Sequence, residues 1–133
     1  MPIAYLDVPQ GIRIERKKRM MKEIYNALHE AYPFPEDVRI FLREWSLESV
    51  SQDGRLDSEP ARPVFLMHVP QGVSLDAKRK MVSGINAAVA EAYQLQKFMI
   101  FIQEYPLELV SLDGRLHSDN VERVEKQKNV YAE

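Results

Sequence analysis

The sequence predicts an α/β chain (α+β in some schemes). A tandem β-α-β repeat would build one four-stranded sheet with two helices on one face. Three observations carry that prediction. One segment is written twice along the chain, at an offset of 61 residues between Pro2 and Pro63 and 60 between Val50 and Val110. Within each copy the apolar spacing passes from strand-like to helical and back. Each copy then closes on an Asp-Gly pair, a tight-turn signal.

The duplication is legible residue by residue. Pro2-Ile3-Ala4-Tyr5-Leu6-Asp7-Val8-Pro9-Gln10-Gly11 recurs as Pro63-Val64-Phe65-Leu66-Met67-His68-Val69-Pro70-Gln71-Gly72. Glu30-Ala31-Tyr32 recurs as Glu91-Ala92-Tyr93, and Phe41-Leu42-Arg43-Glu44-Trp45 as Phe101-Ile102-Gln103-Glu104-Tyr105. Val50-Ser51-Gln52-Asp53-Gly54-Arg55-Leu56 recurs as Val110-Ser111-Leu112-Asp113-Gly114-Arg115-Leu116. The shift in offset places the loss of one residue near Pro33. The divisions are a first unit over 1–60, a second over 61–118 and a charged tail over 119–133, which is a short helix or frayed.

The elements follow in order. Ile3 to Val8 is a short run of strand formers closed by Pro9-Gln10-Gly11 as turn punctuation. Met20, Ile24, Ala27, Leu28 and Ala31 recur at helical spacing, as do Met81, Ile85, Ala88, Val89 and Ala92. Val38 to Trp45 and Phe98 to Tyr105 are second strands, each followed by a hairpin turning at Asp53-Gly54 or Asp113-Gly114. A strand–helix–strand succession makes a right-handed crossover with parallel strands. Ile40-Phe41-Leu42 and Ile100-Phe101-Ile102 are apolar on both sides of their strands. The face away from the helices therefore needs a cover. A further copy of the same chain is the expected cover. Asp53, Asp113, Arg55 and Arg115 occur in both copies, which points to turn formation and an interface ion pair rather than chemistry.

Composition excludes several classes of function. The apolar share of 45% and charged share of 29% are ordinary for a globular domain. A net charge of −2 supplies no field for nucleic acid or an anionic membrane, so neither is expected as a partner. The chain has no cysteine, hence no thiol chemistry, which fits a reducing cytoplasmic interior. No apolar run reaches the length of a membrane span. His29, His68 and His117 share no metal-ligand spacing, and no cofactor motif is present.

Chemistry centres on the first residues. A start methionine before a small residue is commonly removed, which would leave Pro2 with a free secondary amine at the head of an apolar strand. An α-amino group titrates near pH 8, and burial disfavours its charged form. A neutral amine at pH 7 is a competent general base or nucleophile. Pro63 matches Pro2 in register but is a tertiary amide inside the chain, with no basic lone pair. One site per chain follows.

Pro2 opening a strand, Gly11 at its end, Pro35 leading into Val38-Arg39, and a Gly-containing hairpin together resemble the 4-oxalocrotonate tautomerase pattern. The resemblance is to the fused, two-copy form of the tautomerase superfamily, covering residues 2 to about 116. It implies a tautomerase/MIF-like fold assembled as a homotrimer. It also implies a cofactor-independent isomerase that interconverts keto and enol forms of a small 2-hydroxydienoate or 2-oxo acid. Pro2 would be the general base and Arg39 would bind the substrate carboxylate, a task suited to a planar guanidinium. The arginine that the family places after the first strand falls on Ile12. Arg13 stands next to it, at a place where the second copy has the helix-capping Ser74. Arg13 also opens the basic run Arg16, Lys17, Lys18, Arg19 and Lys22, which reads as a solvated helix face. His29 sits late in the first helix, where the cis-3-chloroacrylic acid dehalogenase branch carries a histidine. That branch's loop arginines fall on Gln71 and Ser74, its tyrosine on Phe101 and its acid on Leu112. Two alternatives stay open: a dehalogenase or hydratase on the same scaffold, and a non-catalytic assembly protein that kept the fold and lost the site.

Overall fold

Each copy supplies two seven-residue strands whose inward positions are mostly apolar and a helix that carries apolar residues on one stripe. The computed structural model describes residues 2–58 and 60–131. In chain order it has β1 (Ile3–Pro9), α1 (Ile14–Ala31), β2 (Arg39–Trp45), β3 (Val64–Pro70), α2 (Leu75–Tyr93) and β4 (Met99–Tyr105). A small hairpin of β5 (Ser111–Leu112) and β6 (Arg115–Leu116) follows, then α3 (Val121–Val130). The sheet order is β2-β1-β3-β4. Within each copy the strands are parallel, and the copies join through antiparallel β1 and β3. The expected four-stranded sheet with two helices on one face is what forms.

Alternation assigns the side chains. Ala4, Leu6, Val8, Phe65, Met67 and Val69 face the helices and are buried against Met20, Ile24, Leu28, Met81, Ile85 and Val89. Each large aliphatic or aromatic side chain removed from water contributes about 1.5–3 kcal/mol. The helices approach closely where Ala27 meets Gly84, at which an added Cβ would lie 3.3 Å from the alanine methyl. Lys17 bridges to Glu44 and Lys78 to Glu104, tying each helix to the second strand of its own copy. On the opposite face Phe41 and Phe101 are each 48% exposed and Met99 is 56% exposed. That uncovered face mixes these apolar side chains with Arg39 and the Asp7–Arg43 ion pair.

The copies diverge after their second strands. The second copy forms the predicted hairpin, with Asp113 and Gly114 both at positive φ, as a type I′ turn requires. The first copy keeps the turn at Asp53-Gly54 but forms only one bridge, Gln52 to Arg55. The cause is Gln52, whose side chain points inward. Its Nε2 donates to Ser58 O (2.9 Å) and Pro60 O (3.0 Å), and its Oε1 accepts from Arg62 N–H at 2.6 Å. Leu112 holds the matching place in the second copy and stays exposed. The repeated acids and arginines do not pair with one another within the chain. Asp53 pairs with Arg62, and Arg115 donates to the backbone oxygen of Asp119. The charged tail is helical over α3, capped by the Asn120 side chain.

Candidate active site

β1 enters the sheet with Pro2 buried and its carbonyl accepting from Arg39 N–H at 3.1 Å. Pro2 thus lies beside the head of β2. Because β3 runs antiparallel to β1, with Ile3 opposite His68, the ends of β3 and β4 converge on the same edge of the sheet. Pro2, the segment 32–38 that leads into β2, the residues after β3 and the start of α3 therefore share one end of the molecule.

The four sequence-predicted site residues are not gathered there within one chain. Arg39 is at this end, in register with Ile3, but its side chain is 59% exposed and its Nε lies 2.7 Å from Asp37 Oδ2. The Arg39 hydrogen bond holds the Asp37 carboxyl below its usual range, against a smaller burial effect. Both groups are solvent-exposed and screened by water, so an incoming carboxylate can displace the pair. Arg13 sits beyond the far end of β1, as the uncapped N-terminus of α1, whereas Ser74 caps α2 through its hydroxyl (3.1 Å to Ala77 N). At about 3.3 Å per residue, the length of β1 separates Arg13 from Pro2 by roughly 20 Å. They can meet only across chains. His29 is exposed on α1 and stacks on Tyr25, with ring centroids 5.4 Å apart.

Sequence reasoning missed a buried polar cluster at the Pro2 end. Arg123 of α3 donates from Nε to Glu36 Oε1 at 2.6 Å and from Nη1 to Gln127, and its guanidinium lies 4.0 Å from the Phe34 ring centroid. Side-chain exposure is 3% at Arg123, 5% at Glu36 and 3% at His117. His117 Nε2 comes within 3.2 Å of Glu36 Oε1 but is not aligned for a hydrogen bond. Burial would raise the Glu36 pKa. The Arg123 hydrogen bond and Glu36's own backbone N–H outweigh it, so the carboxyl is held below its usual range. Burial lowers His117, with Glu36 opposing, so the imidazole is neutral at pH 7. Burial pushes the nearby Tyr131 phenol up to about 12. A cavity of about 400 Å³, lined by this cluster, opens between α3 and the β5–β6 hairpin. On the open face of the same end, His68 Nδ1 lies 2.6 Å from the Tyr105 hydroxyl. The sequence signal for the cluster was weak: Arg123 and Gln127 sit at helical spacing, but polar residues in a charged tail read as solvated.

Among the described residues no group of three or more His, Cys, Asp or Glu is placed to hold a metal ion. Among the described residues no helix is long and apolar enough to cross a membrane.

No protein-family model matches the sequence, and no curated protein matches it. Solved structures do. An asymmetric trimer described as F6 fused 4-OT aligns over 86% of this chain and 94% of its own, with a TM-score of 0.77 at 23% identity. The chain folds as a fused 4-OT does. A native fused 4-OT matches over the same shares with a TM-score of 0.76 at 20% identity. N1, a member of the cis-3-chloroacrylic acid dehalogenase family, covers more: 96% of this chain and 98% of its own, with a TM-score of 0.71 at 14% identity. At these identities the likeness concerns the fused 4-OT fold itself.

Proposed function

We propose that this protein is a tautomerase of the fused 4-OT type, converting a small 2-hydroxydienoate or 2-oxo acid between its enol and keto forms. The observation that carries the reading is Pro2, buried at the head of β1 beside β2 in a fused 4-OT fold. Once the initiator is removed, its amine is a secondary amine in apolar surroundings. Desolvation keeps such a group neutral near pH 7, ready to take a proton from the enol oxygen and return it to carbon. Arg39 holds the substrate carboxylate and offsets charge that develops on the dienolate. Arg13 of a neighbouring chain is the second cation, since its own chain keeps it at the far end of β1. His29 is the remaining substrate contact.

The assembly is a homotrimer. Structures with this fold are described as fused 4-OT trimers, and the open face with Phe41, Phe101 and Met99 is the surface that assembly would bury. A dehalogenase or hydratase is the second reading, favoured by the near-complete coverage of N1, which extends over more of this chain than the fused 4-OT matches do.

Intact mass first establishes whether the mature chain begins at Pro2. Turnover of phenylenolpyruvate or 2-hydroxymuconate is then compared with that of Pro2→Ala. The expected result is loss of activity in the variant; equal rates would remove the proline mechanism.

A further inference from the structure

The duplication places the same surface at both ends of the sheet, and a helix covers it at one end. At the Pro2 end that helix is α3. Gln127 Nε2 donates to Gln71 O at 3.3 Å, and the Tyr131 ring meets Phe34 edge-on with centroids 5.7 Å apart. The same ring sits over Gly72, where an added Cβ would lie 2.8 Å from it. Val124 and Lys128 border a cleft shared with Leu107. The contacts of α3 thus come from positions 124, 127, 128 and 131, the i, i+3, i+4, i+7 stripe by which a helix lies in a groove.

The counterparts at the Pro63 end carry no helix. Gln10, Gly11, Trp45 and Leu47 repeat Gln71, Gly72, Tyr105 and Leu107, and Leu95 follows Tyr93 as Phe34 follows Tyr32. A Cβ added at Gly11 would meet nothing within 4 Å. In place of α3 there is a groove of about 510 Å³, walled by Pro9, Trp45, Leu47 and Leu95. Glu48 and Asp57 line it as well, and among the described residues no lysine or arginine does. An apolar groove bordered by acids fits an amphipathic helix with a basic residue beside its apolar stripe. The α3 of a second copy fits less well. Its Arg123 would meet Gln96, which precedes Phe98 as Glu36 precedes Val38, and would be buried without an acid. We propose that this groove docks a short basic amphipathic helix of a partner protein, with an aromatic anchor against Leu95 and Gly11 and its basic residue toward Glu48 and Asp57. The surface is separate from Pro2 and does not depend on the proposed activity.

Trp45 is the only tryptophan in the chain and lines the groove, so its fluorescence reports occupancy there. The probe is a synthetic peptide of residues 119–131 carrying Arg123→Ala, titrated against the full chain. A lactam between Glu122 and Lys126, which lie off the contact stripe, fixes the peptide as a helix, so failure to bind is not failure to fold. A saturable shift of Trp45 emission is the expected result. Tyr131→Ala in the peptide removes the aromatic anchor and should weaken binding about 10- to 100-fold. Lys128→Glu in the peptide should weaken it less, by a factor that shrinks at high salt. In the chain, Leu47→Glu should abolish the shift; Leu95→Glu replaces it should thermal unfolding show that the first variant folds poorly. No saturable shift, or equal affinity for the Tyr131→Ala peptide, overturns the proposal. So does Trp45 emission that changes when the chain alone is diluted, which would show that a second copy covers the groove.

Discussion

Removing Arg123 tests what holds α3 in place. The Arg123–Glu36 pair is 2.6 Å long, and both side chains are almost wholly buried. Arg123→Met would leave the Glu36 carboxylate buried without its partner, a change that costs about 3–5 kcal/mol in such settings. A lost cation–π contact with Phe34 adds about 1 kcal/mol. Replacing both partners by apolar or neutral groups removes the charge along with its partner and is close to neutral. Arg123→Met with Glu36→Gln should therefore recover most of the loss, giving a coupling of about 2–3 kcal/mol. Urea unfolding at one fixed protein concentration measures this, because assembly makes stability concentration-dependent. The single variant should also regain part of its stability in mild acid, where Glu36 becomes protonated. Strict additivity of the two substitutions, within about 0.5 kcal/mol, would show that the pair does not dock the helix.

Three further outcomes follow from the geometry. Phe41→Asp combined with Phe101→Asp places charges on the open sheet face and should convert the proposed trimer to single chains by sedimentation velocity; a trimer that persists in the variant would mean that this face is not the interface. Stability should fall as pH drops below about 6.5, because burial holds the folded-state pKa of His117 below that value and the unfolded chain binds the extra proton first. Glu36 adds to the fall below its usual value of 4.5, since its folded pKa is lowered too; a melting temperature that rises between pH 7.5 and 5 would contradict the His117 sign, and one that rises as pH falls below 4.5 the Glu36 sign. Gln52→Ala leaves the Arg62 N–H and two carbonyls without partners and should lower stability by about 2–3 kcal/mol in thermal unfolding, whereas Leu112→Ala, at the exposed matching position, should change it little.

The four-stranded sheet and both large helices were legible because the duplication states each element twice and alternation fixes which strand face is inward; the strand order was not. Leu6 and Phe65 could not sit elsewhere. The first hairpin was misjudged because Gln52 looks like any polar turn residue, and its inward rotation depends on backbone groups at Ser58, Pro60 and Arg62 that no local pattern announces. Pro2 and Arg39 could be picked out by their places at strand heads. Glu36 and Arg123 could not, being 87 positions apart in a loop and a charged tail and meeting only when the chain folds. Arg13 shows a third limit: its role in the proposed site depends on a neighbouring chain, which one copy of the sequence does not describe.

The two ends of the sheet are equivalents under the duplication, and they differ in how their polar groups are met. At the Pro63 end the proline nitrogen is locked in an amide, and Gln52 ties the following linker with three hydrogen bonds. That arrangement satisfies its groups and is what stability alone would favour. At the Pro2 end a polar helix was laid over the sheet instead, and five buried polar atoms of Tyr32, Glu36, His117, Arg123 and Tyr131 were left without partners. An apolar tail would have closed that end at lower cost, since a half-satisfied buried network is worse for stability than hydrocarbon. Tyr93, the repeat of Tyr32, also carries an unpartnered buried hydroxyl, so what sets the Pro2 end apart is the group of Glu36, His117, Arg123 and Tyr131, a place where local rules of polar satisfaction give way.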